Sequence, residues 1–199
     1  MQAIILAAGR DMIKQYPACL APLAETSILS KQISLFQKIG INKIIIVIGK
    51  DSKCWTLNYR KHVKKMGVTV IENKDNHFQG NTKSLKLALM KSLDTHTIIC
   101  DGDTFFNQLT IVKIINNKFD NVLLSRITNI LTDSGTKILI KGNRVKDIGK
   151  NLRNDDPPWF MYGGLMKINK KLQKKLVSIL KNKKEEDEFF TNSISEIIK

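Results

Sequence analysis

The chain has 199 residues, of which 42% are apolar and 26% charged; these ordinary proportions exclude disordered, collagenous and coiled-coil classes and give a single domain, 1–199. At that length folding buries roughly 70% of the surface of the unfolded chain, so no metal or disulfide staple is required. The formal charge of +15 goes with 28 Lys against 5 Arg and with 27 Ile and 16 Asn, the usage of an AT-rich coding sequence; it suits a field around a small polyanionic ligand, while lysines without interleaved aromatics argue against nucleic acid.

Gln2-Ala3-Ile4-Ile5-Leu6 is a short apolar run ended by Ala7-Ala8-Gly9, the pattern of a strand buried on both faces. Residues 27–39 carry Ile28, Leu29, Ile33, Leu35, Phe36 and Ile39 at mostly helical spacing, begin at a Ser and stop at Gly40, which predicts a helix. Residues 43–48 (KIIIVI) predict a second buried strand, 54–66 a charged helix and 68–71 a third strand. A leucine-bearing helix over 81–93 and a fourth strand over 95–100 follow, the strand running into Asp101-Gly102-Asp103. Strands alternating with helices predict βαβ units on a mostly parallel sheet. From 120 to 148, short strands with turns at Ser134-Gly135 and Gly142-Asn143 change the pattern to hairpins, and two further helices are predicted over 169–181 and 188–198.

Cys19, Cys54 and Cys100 are odd in number and widely spaced, which reads as reduced thiols in a cytosolic protein. The run 3–8 is too short for a signal-peptide core and has no basic segment before it. No stretch approaches the ~20 apolar residues of a membrane helix. The expectation is a cytoplasmic protein with no membrane span, assembly into a homo-oligomer being left open.

In open parallel sheets ligands sit beyond the carboxyl ends of the strands, so the loop after the first strand and the acidic turn after the fourth should point into one crevice. Small residues at Ala7, Ala8 and Gly9 let backbone N–H groups approach a base or phosphate, although a tight strand-to-helix turn asks for the same residues. Asp101 and Asp103, two apart at a strand end, project to one side if the strand continues. They suit Mg²⁺, which takes one or two carboxylates plus phosphate oxygens; a plain Asp-Gly-Asp turn is the alternative. Trp159, Phe160 and Tyr162 read as hairpin core or as an aromatic wall for a quaternary ammonium. His62, His77 and His96 are scattered and read as surface residues.

Taken with Tyr16-Pro17-Ala18-Cys19-Leu20-Ala21-Pro22-Leu23 and Ser27-Ile28-Leu29, the Ile5-Leu6-Ala7-Ala8-Gly9 loop resembles that of the nucleotidyltransferases. The resemblance is to sugar-phosphate nucleotidyltransferases and phosphocholine cytidylyltransferases of surface-glycan pathways, over nearly the whole chain. Residues 40–47 resemble the lead-in and second strand of that family, and Gln79-Gly80-Asn81-Thr82-Lys83-Ser84-Leu85 its base-and-ribose loop. Ile98-Ile99-Cys100-Asp101-Gly102-Asp103 resembles its metal-binding strand end, and residues 142–152 with Tyr162-Gly163-Gly164-Leu165 its acceptor-side hairpin.

The resemblance implies a three-layer, Rossmann-like α/β fold with a mostly parallel central sheet. It implies Mg²⁺-dependent nucleotidyl transfer from a nucleoside triphosphate, CTP favoured, to a small phosphorylated acceptor, phosphocholine-like or a sugar 1-phosphate, with release of pyrophosphate. Such in-line attack needs positioning and charge neutralisation and no protein nucleophile. Nucleotide contacts then fall to Leu6, Ala7, Ala8, Gly9, Gln79, Gly80, Asn81, Ser84 and Asp101, and the metal to Asp103 with help from Asp101; helix capping would ask for Asn81 and Ser84 equally. The family pattern places an Arg and a Lys where this chain has Ile13 and Ala18. Arg10, Lys14 and Lys150 are the cations that would replace them in catalysis. Family members also carry a further metal-binding Asp on a strand beyond a helix like 188–198. The alternative functional reading is a module of the same fold that binds nucleotide or sugar phosphate with impaired turnover; a nucleic-acid-binding protein and a glycosyltransferase rank behind it.

Overall fold

A computed structural model describes residues 1–9, 12–13, 16–49, 57–74, 80–92, 94–130, 132, 135–152, 158–183 and 189–199. The order of elements is β1 (Gln2–Ala7), two short ladders formed by β2 (Met12–Ile13) with β3 (Tyr16–Pro17) and by β4 (Pro22–Leu23) with β5 (Thr26–Ser27), then α1 (Ile28–Lys38), β6 (Ile44–Gly49), α2 (Leu57–Lys65), β7 (Thr69–Asn73), α3 (Thr82–Leu89) and β8 (Thr97–Asp101). The second half contains α4 (Gln108–Ile115), β9 (Val122–Thr128), β10 (Lys137–Lys141), β11 (Arg144–Gly149), β12 (Trp159–Ile168), α5 (Lys170–Asn182) and α6 (Phe190–Ile198).

The main sheet runs β11-β10-β12-β8-β1-β6-β7, with β9 paired to β12. Its β7-β6-β1-β8 portion is parallel, and β12 joins β8 antiparallel. Side-chain alternation along β1 builds the three layers. Ala3, Ile5 and Ala7 pack into one core with Leu29, Ile33 and Phe36 of α1, Val63 of α2 and Ile111 and Ile114 of α4. Ile4 and Leu6 pack into the other, with Leu85 and Ala88 of α3, Leu176 and Leu180 of α5, and Phe190 of α6. Both faces are covered, which is why β1 from Ala3 onward and β6 are spelled with apolar residues and glycine and are fully buried. The α/β, Rossmann-like reading of the sequence holds. Among the described residues no helix is long and apolar enough to cross a membrane.

Two elements differ from the sequence reading. No helix was expected over α4, whose Ile111-Val112-Lys113-Ile114-Ile115 is β-branched and strand-like. Its N-terminus is capped locally, Asn107 Oδ1 accepting from the Thr110 N–H at 2.8 Å, and its C-terminus is held from outside, Lys167 Nζ on β12 donating to the carbonyls of Ile115 and Asn117 at 2.9 and 3.1 Å. Tertiary capping outweighs propensity there. Lys167 is 4% exposed, and Lys167→Met keeps its volume while orphaning both carbonyls. We expect a loss of about 1–3 kcal/mol, a fall in Tm of roughly 2–10 °C, readable in thermal unfolding. The second difference is β12, a ten-residue strand where only a hairpin segment was expected. One edge of it serves β10 near Phe160 and then β8 from Leu165 onward, while β9 lies along the other.

Candidate active site

The connection after β1 leads to β6 on one side, and the chain later crosses back to β8 on the other, so the sheet reverses its direction of winding between β1 and β8. Such a reversal opens a crevice at the carboxyl ends of the two strands. Leu6 lies in register with Asp101, and the Gly102 N–H donates to the Leu6 carbonyl at 2.9 Å. A Cβ at Gly102 would come within 2.8 Å of Leu6 O and 2.9 Å of Ala7 Cα. The carboxyl end of β1, from which the small-residue loop departs, and the acidic turn are therefore in direct contact at one end of the sheet. Cys19 Sγ donates to the Ala7 carbonyl at 3.7 Å and brings the short turn Ala18–Leu20 against the same loop.

The acidic turn is braced from three directions. From β1 comes the Gly102–Leu6 bond. From α1, buried Gln32 donates through Nε2 to the carbonyls of Asp101, at 2.9 Å, and Thr104. From β12, Gly164 presses on it: a Cβ there would lie 2.6 Å from Thr104 Oγ1 and 3.3 Å from Asp101 Oδ2. Gly164 has φ +75° and sits where the β12–β9 register shifts between Tyr162 and Met166, a bulge that only glycine fills at this distance.

Asp101 is partly buried and Asp103 exposed. Burial, and then the nearby Asp103 carboxylate, push the Asp101 carboxyl up to about 7. Burial, followed by the charge of Asp101, also raises the Tyr162 hydroxyl well above its ordinary value. That hydroxyl is buried and has no hydrogen-bond partner among the described residues. Among the described residues no Lys, Arg or His forms an ion pair with Asp101 or Asp103, and no cluster of three or more His, Cys, Asp and Glu forms. Two repelling carboxylates, with a glycine leaving room beside one of them, fit a hard divalent cation that takes few protein ligands and completes its shell with phosphate oxygens.

The remaining expected site residues fall into distinct places. Leu6 and Ala7 at the end of β1 and Ala8 just after it are buried, while Gly9 is exposed and a Cβ there would meet nothing within 4 Å among the described residues. Gly80 is exposed with φ +107°. Asn81 begins α3, but its Oδ1 accepts the Phe190 N–H at 3.0 Å and so caps α6 from across the crevice wall. Ser84 is buried, its Oγ accepting from Asn73 Nδ2 at 3.1 Å; its hydroxyl ties α3 to β7. Lys150 Nζ stands 3.7 Å over the Phe189 ring, and the Lys150 carbonyl accepts from Lys137 Nζ. Asp147, within the expected acceptor-side hairpin, instead holds α6 through Ser195 Oγ and Lys199 Nζ. Arg10, Lys14 and Gln79 lie outside the described residues, as does His77.

The structure thus brings together residues 6–9, 101–104 and 162–164. A second group, Gly80, Asn81, Lys150 and the start of α6, connects to them through the Tyr162 ring, packed edge-on against Phe190 at 6.4 Å. Sequence reasoning did not single out Gln32. The available signal was a lone amide on the face that Leu29, Ile33 and Phe36 make apolar.

A doubly wound sheet with a small-residue loop and an acidic turn at its switch point defines a nucleotide-handling α/β enzyme. Residues 3–141 match the model of the MobA-like NTP transferase domain, and the chain belongs to that family of nucleotidyltransferases. Among solved structures, it superposes on the inositol-1-phosphate CTP transferase from T. maritima with a TM-score of 0.77 at 19% identity, over 99% of this chain and 80% of the other. The CTP:phosphocholine cytidylyltransferase from Streptococcus pneumoniae gives 0.74 at 22% identity, over 99% and 85%. A UDP-glucose pyrophosphorylase complexed with UDP-glucose gives 0.71 at 12% identity, over 99% and 86%. No curated protein sequence matches at a significant level.

Proposed function

We propose that this nucleotidyltransferase uses Mg²⁺ and a nucleoside triphosphate, CTP in preference, to activate a small phosphorylated acceptor such as phosphocholine or a sugar 1-phosphate in the cytoplasm, releasing pyrophosphate. The observation that carries this reading is the contact between the carboxyl end of β1, at Leu6 and Ala7, and the Asp101–Asp103 turn. The similar structures of two CTP-using enzymes support the choice of base.

In this reading the backbone around Ala7, Ala8 and Gly9 receives the nucleotide, and the open space at Gly9 leaves room for it. Asp103, with Asp101, would hold Mg²⁺, which supplies charge neutralisation to the phosphate oxygens. Asp101 gives up its proton on taking that role, since its carboxyl titrates at about 7. An acceptor phosphate oxygen attacks the α-phosphorus in line, its P–O bond forming as the bond to pyrophosphate breaks. Arg10 and Lys14 are the cations proposed for the leaving phosphates, and Lys150 approaches from the acceptor side.

Ala18 stands where the family pattern has a phosphate-reaching Lys, and this favours one second reading, a binding module without turnover. Pyrophosphate release from each of the four common triphosphates, with Mg²⁺ and a panel of phosphorylated acceptors, decides between them. We expect release that requires both CTP and an acceptor. Silence in every pair, with a triphosphate still raising Tm, would instead select the module, because ligand binding stabilises the fold whether or not turnover follows.

A further inference from the structure

Gln32 is 1% exposed on the core-facing side of α1, among Leu29, Ile33 and Phe36. Its Nε2 donates to two main-chain carbonyls of one turn, those of Asp101 and Thr104. Both acceptors are carbonyls, so the amide is held with its NH₂ toward the turn and cannot flip without losing both bonds. The consequence falls on Oε1, which is buried without a hydrogen-bond partner among the described residues. An apolar side chain of the same length would fill this place without an orphaned oxygen. Packing alone does not call for an amide here, and among the described residues both of its hydrogen bonds go to the turn of residues 101–104.

These residues carry both carboxylates of the acidic pair. The span between the Asp101 and Thr104 carbonyls determines where the Asp103 side chain stands relative to Asp101, and Thr104 Oγ1 in turn reaches Asp103 Oδ1 at 3.5 Å. Gln32 itself bonds main-chain carbonyls only, so whatever it does for a bound cation it does through the turn. We infer that Gln32 is a positioning residue that sets the separation of the Asp101 and Asp103 carboxylates and thereby the affinity of the site for its divalent cation. This rests on the proposed metal-dependent transfer.

The test compares Gln32→Met with Ile33→Val, a neighbouring core change on the same helix whose side chain makes no hydrogen bond to the turn, and reads Mn²⁺ binding by electron paramagnetic resonance in the presence of a non-hydrolysable CTP analogue. We expect Gln32→Met to weaken Mn²⁺ binding roughly 10-fold or more, the scale of a lost outer-shell partner, with a matching rise in the Mg²⁺ needed for half-maximal pyrophosphate release. Ile33→Val should lower Tm and leave Mn²⁺ binding unchanged. Gln32→Asn keeps an amide that is too short to span both carbonyls; it should give a partial loss, and it carries the test should Gln32→Met fail to fold. If the Gln32 variants bind Mn²⁺ as the parent does while losing stability, Gln32 is packing only and the inference falls. A parent chain that binds Mn²⁺ but releases no pyrophosphate contradicts the proposed turnover and leaves the Gln32 comparison readable on binding alone. A parent that binds no Mn²⁺ overturns the metal site and this inference together.

Discussion

Replacing Asp103 or Asp101 by Asn is expected to lower pyrophosphate release at saturating Mg²⁺ by about 10²–10⁴-fold while the chain stays folded, because in the proposed mechanism each carboxylate would hold the cation on which several kcal/mol of transition-state stabilisation would depend. The two variants should differ in stability. Asp103 is exposed and its replacement should change Tm little. Asp101 has a carboxyl raised to about 7 from an ordinary value near 3.8. Between those values the folded state binds more protons than the unfolded one, so the stability of the parent falls as pH rises from about 4 through 7, by an amount on the order of a few kcal/mol. Asp101→Asn removes that slope. The variant should match the parent near pH 4 and melt higher near pH 8, less stable in no part of the range and inactive in all of it. Mg²⁺ with a triphosphate should raise the Tm of the parent most at the alkaline end, where Asp101 is ionised, and leave the variant unmoved. Melting curves from pH 4 to 8.5, with and without Mg²⁺, check each part.

Gly102→Ala and Gly164→Ala form the second large expectation. At Gly102 the new methyl would meet the backbone of Leu6 and Ala7 at 2.8 and 2.9 Å, with no flexible side-chain end to yield. At Gly164 it would meet Thr104 Oγ1 at 2.6 Å, and φ +75° adds backbone strain. Each should cost about 1–3 kcal/mol. Each should also push the acidic turn away from the loop after β1, and a displacement near 1 Å is worth about 10²-fold in rate. Gly142→Asn is the control. Gly142 has φ +59° but a Cβ there meets nothing, and Asn tolerates that conformation, so stability and rate should stay close to the parent. Urea unfolding together with pyrophosphate release separates loss of fold from loss of alignment.

Most of the parallel half of the molecule was legible because β1, β6 and β8 are buried on both faces and carry apolar runs, as in Ile44-Ile45-Ile46-Val47-Ile48, whereas β7 at the sheet edge is only partly buried. The crevice was legible for the same reason: a loop and a turn that are each local in sequence are brought together by strand order alone. α4 was not legible, since its short run is rich in β-branched residues and its C-terminal carbonyls depend on Lys167, a residue more than fifty positions downstream. β12 hid its length behind Tyr162-Gly163-Gly164-Leu165, which resembled part of an acceptor-side hairpin and instead spans a bulge inside one strand. Within the site, the acidic pair and the small-residue loop were readable, whereas Asn81 and Ser84 turned out to have side-chain partners on α6 and β7 that no local pattern announces. Gln32 and Gly164 act on the turn from seventy and sixty residues away, and sequence proximity gives no hint of either.

The central claim is that one crevice, between the end of β1 and the acidic turn, holds a metal-bound triphosphate. A crystal structure of the chain with Mg²⁺ and a non-hydrolysable CTP analogue tests it most directly. The expected result is a cation about 2.1 Å from carboxylate oxygens of Asp103 or Asp101, with triphosphate oxygens against the backbone of Ala7 to Gly9. A triphosphate bound elsewhere on the molecule, with both aspartates facing solvent and no cation between them, would contradict it.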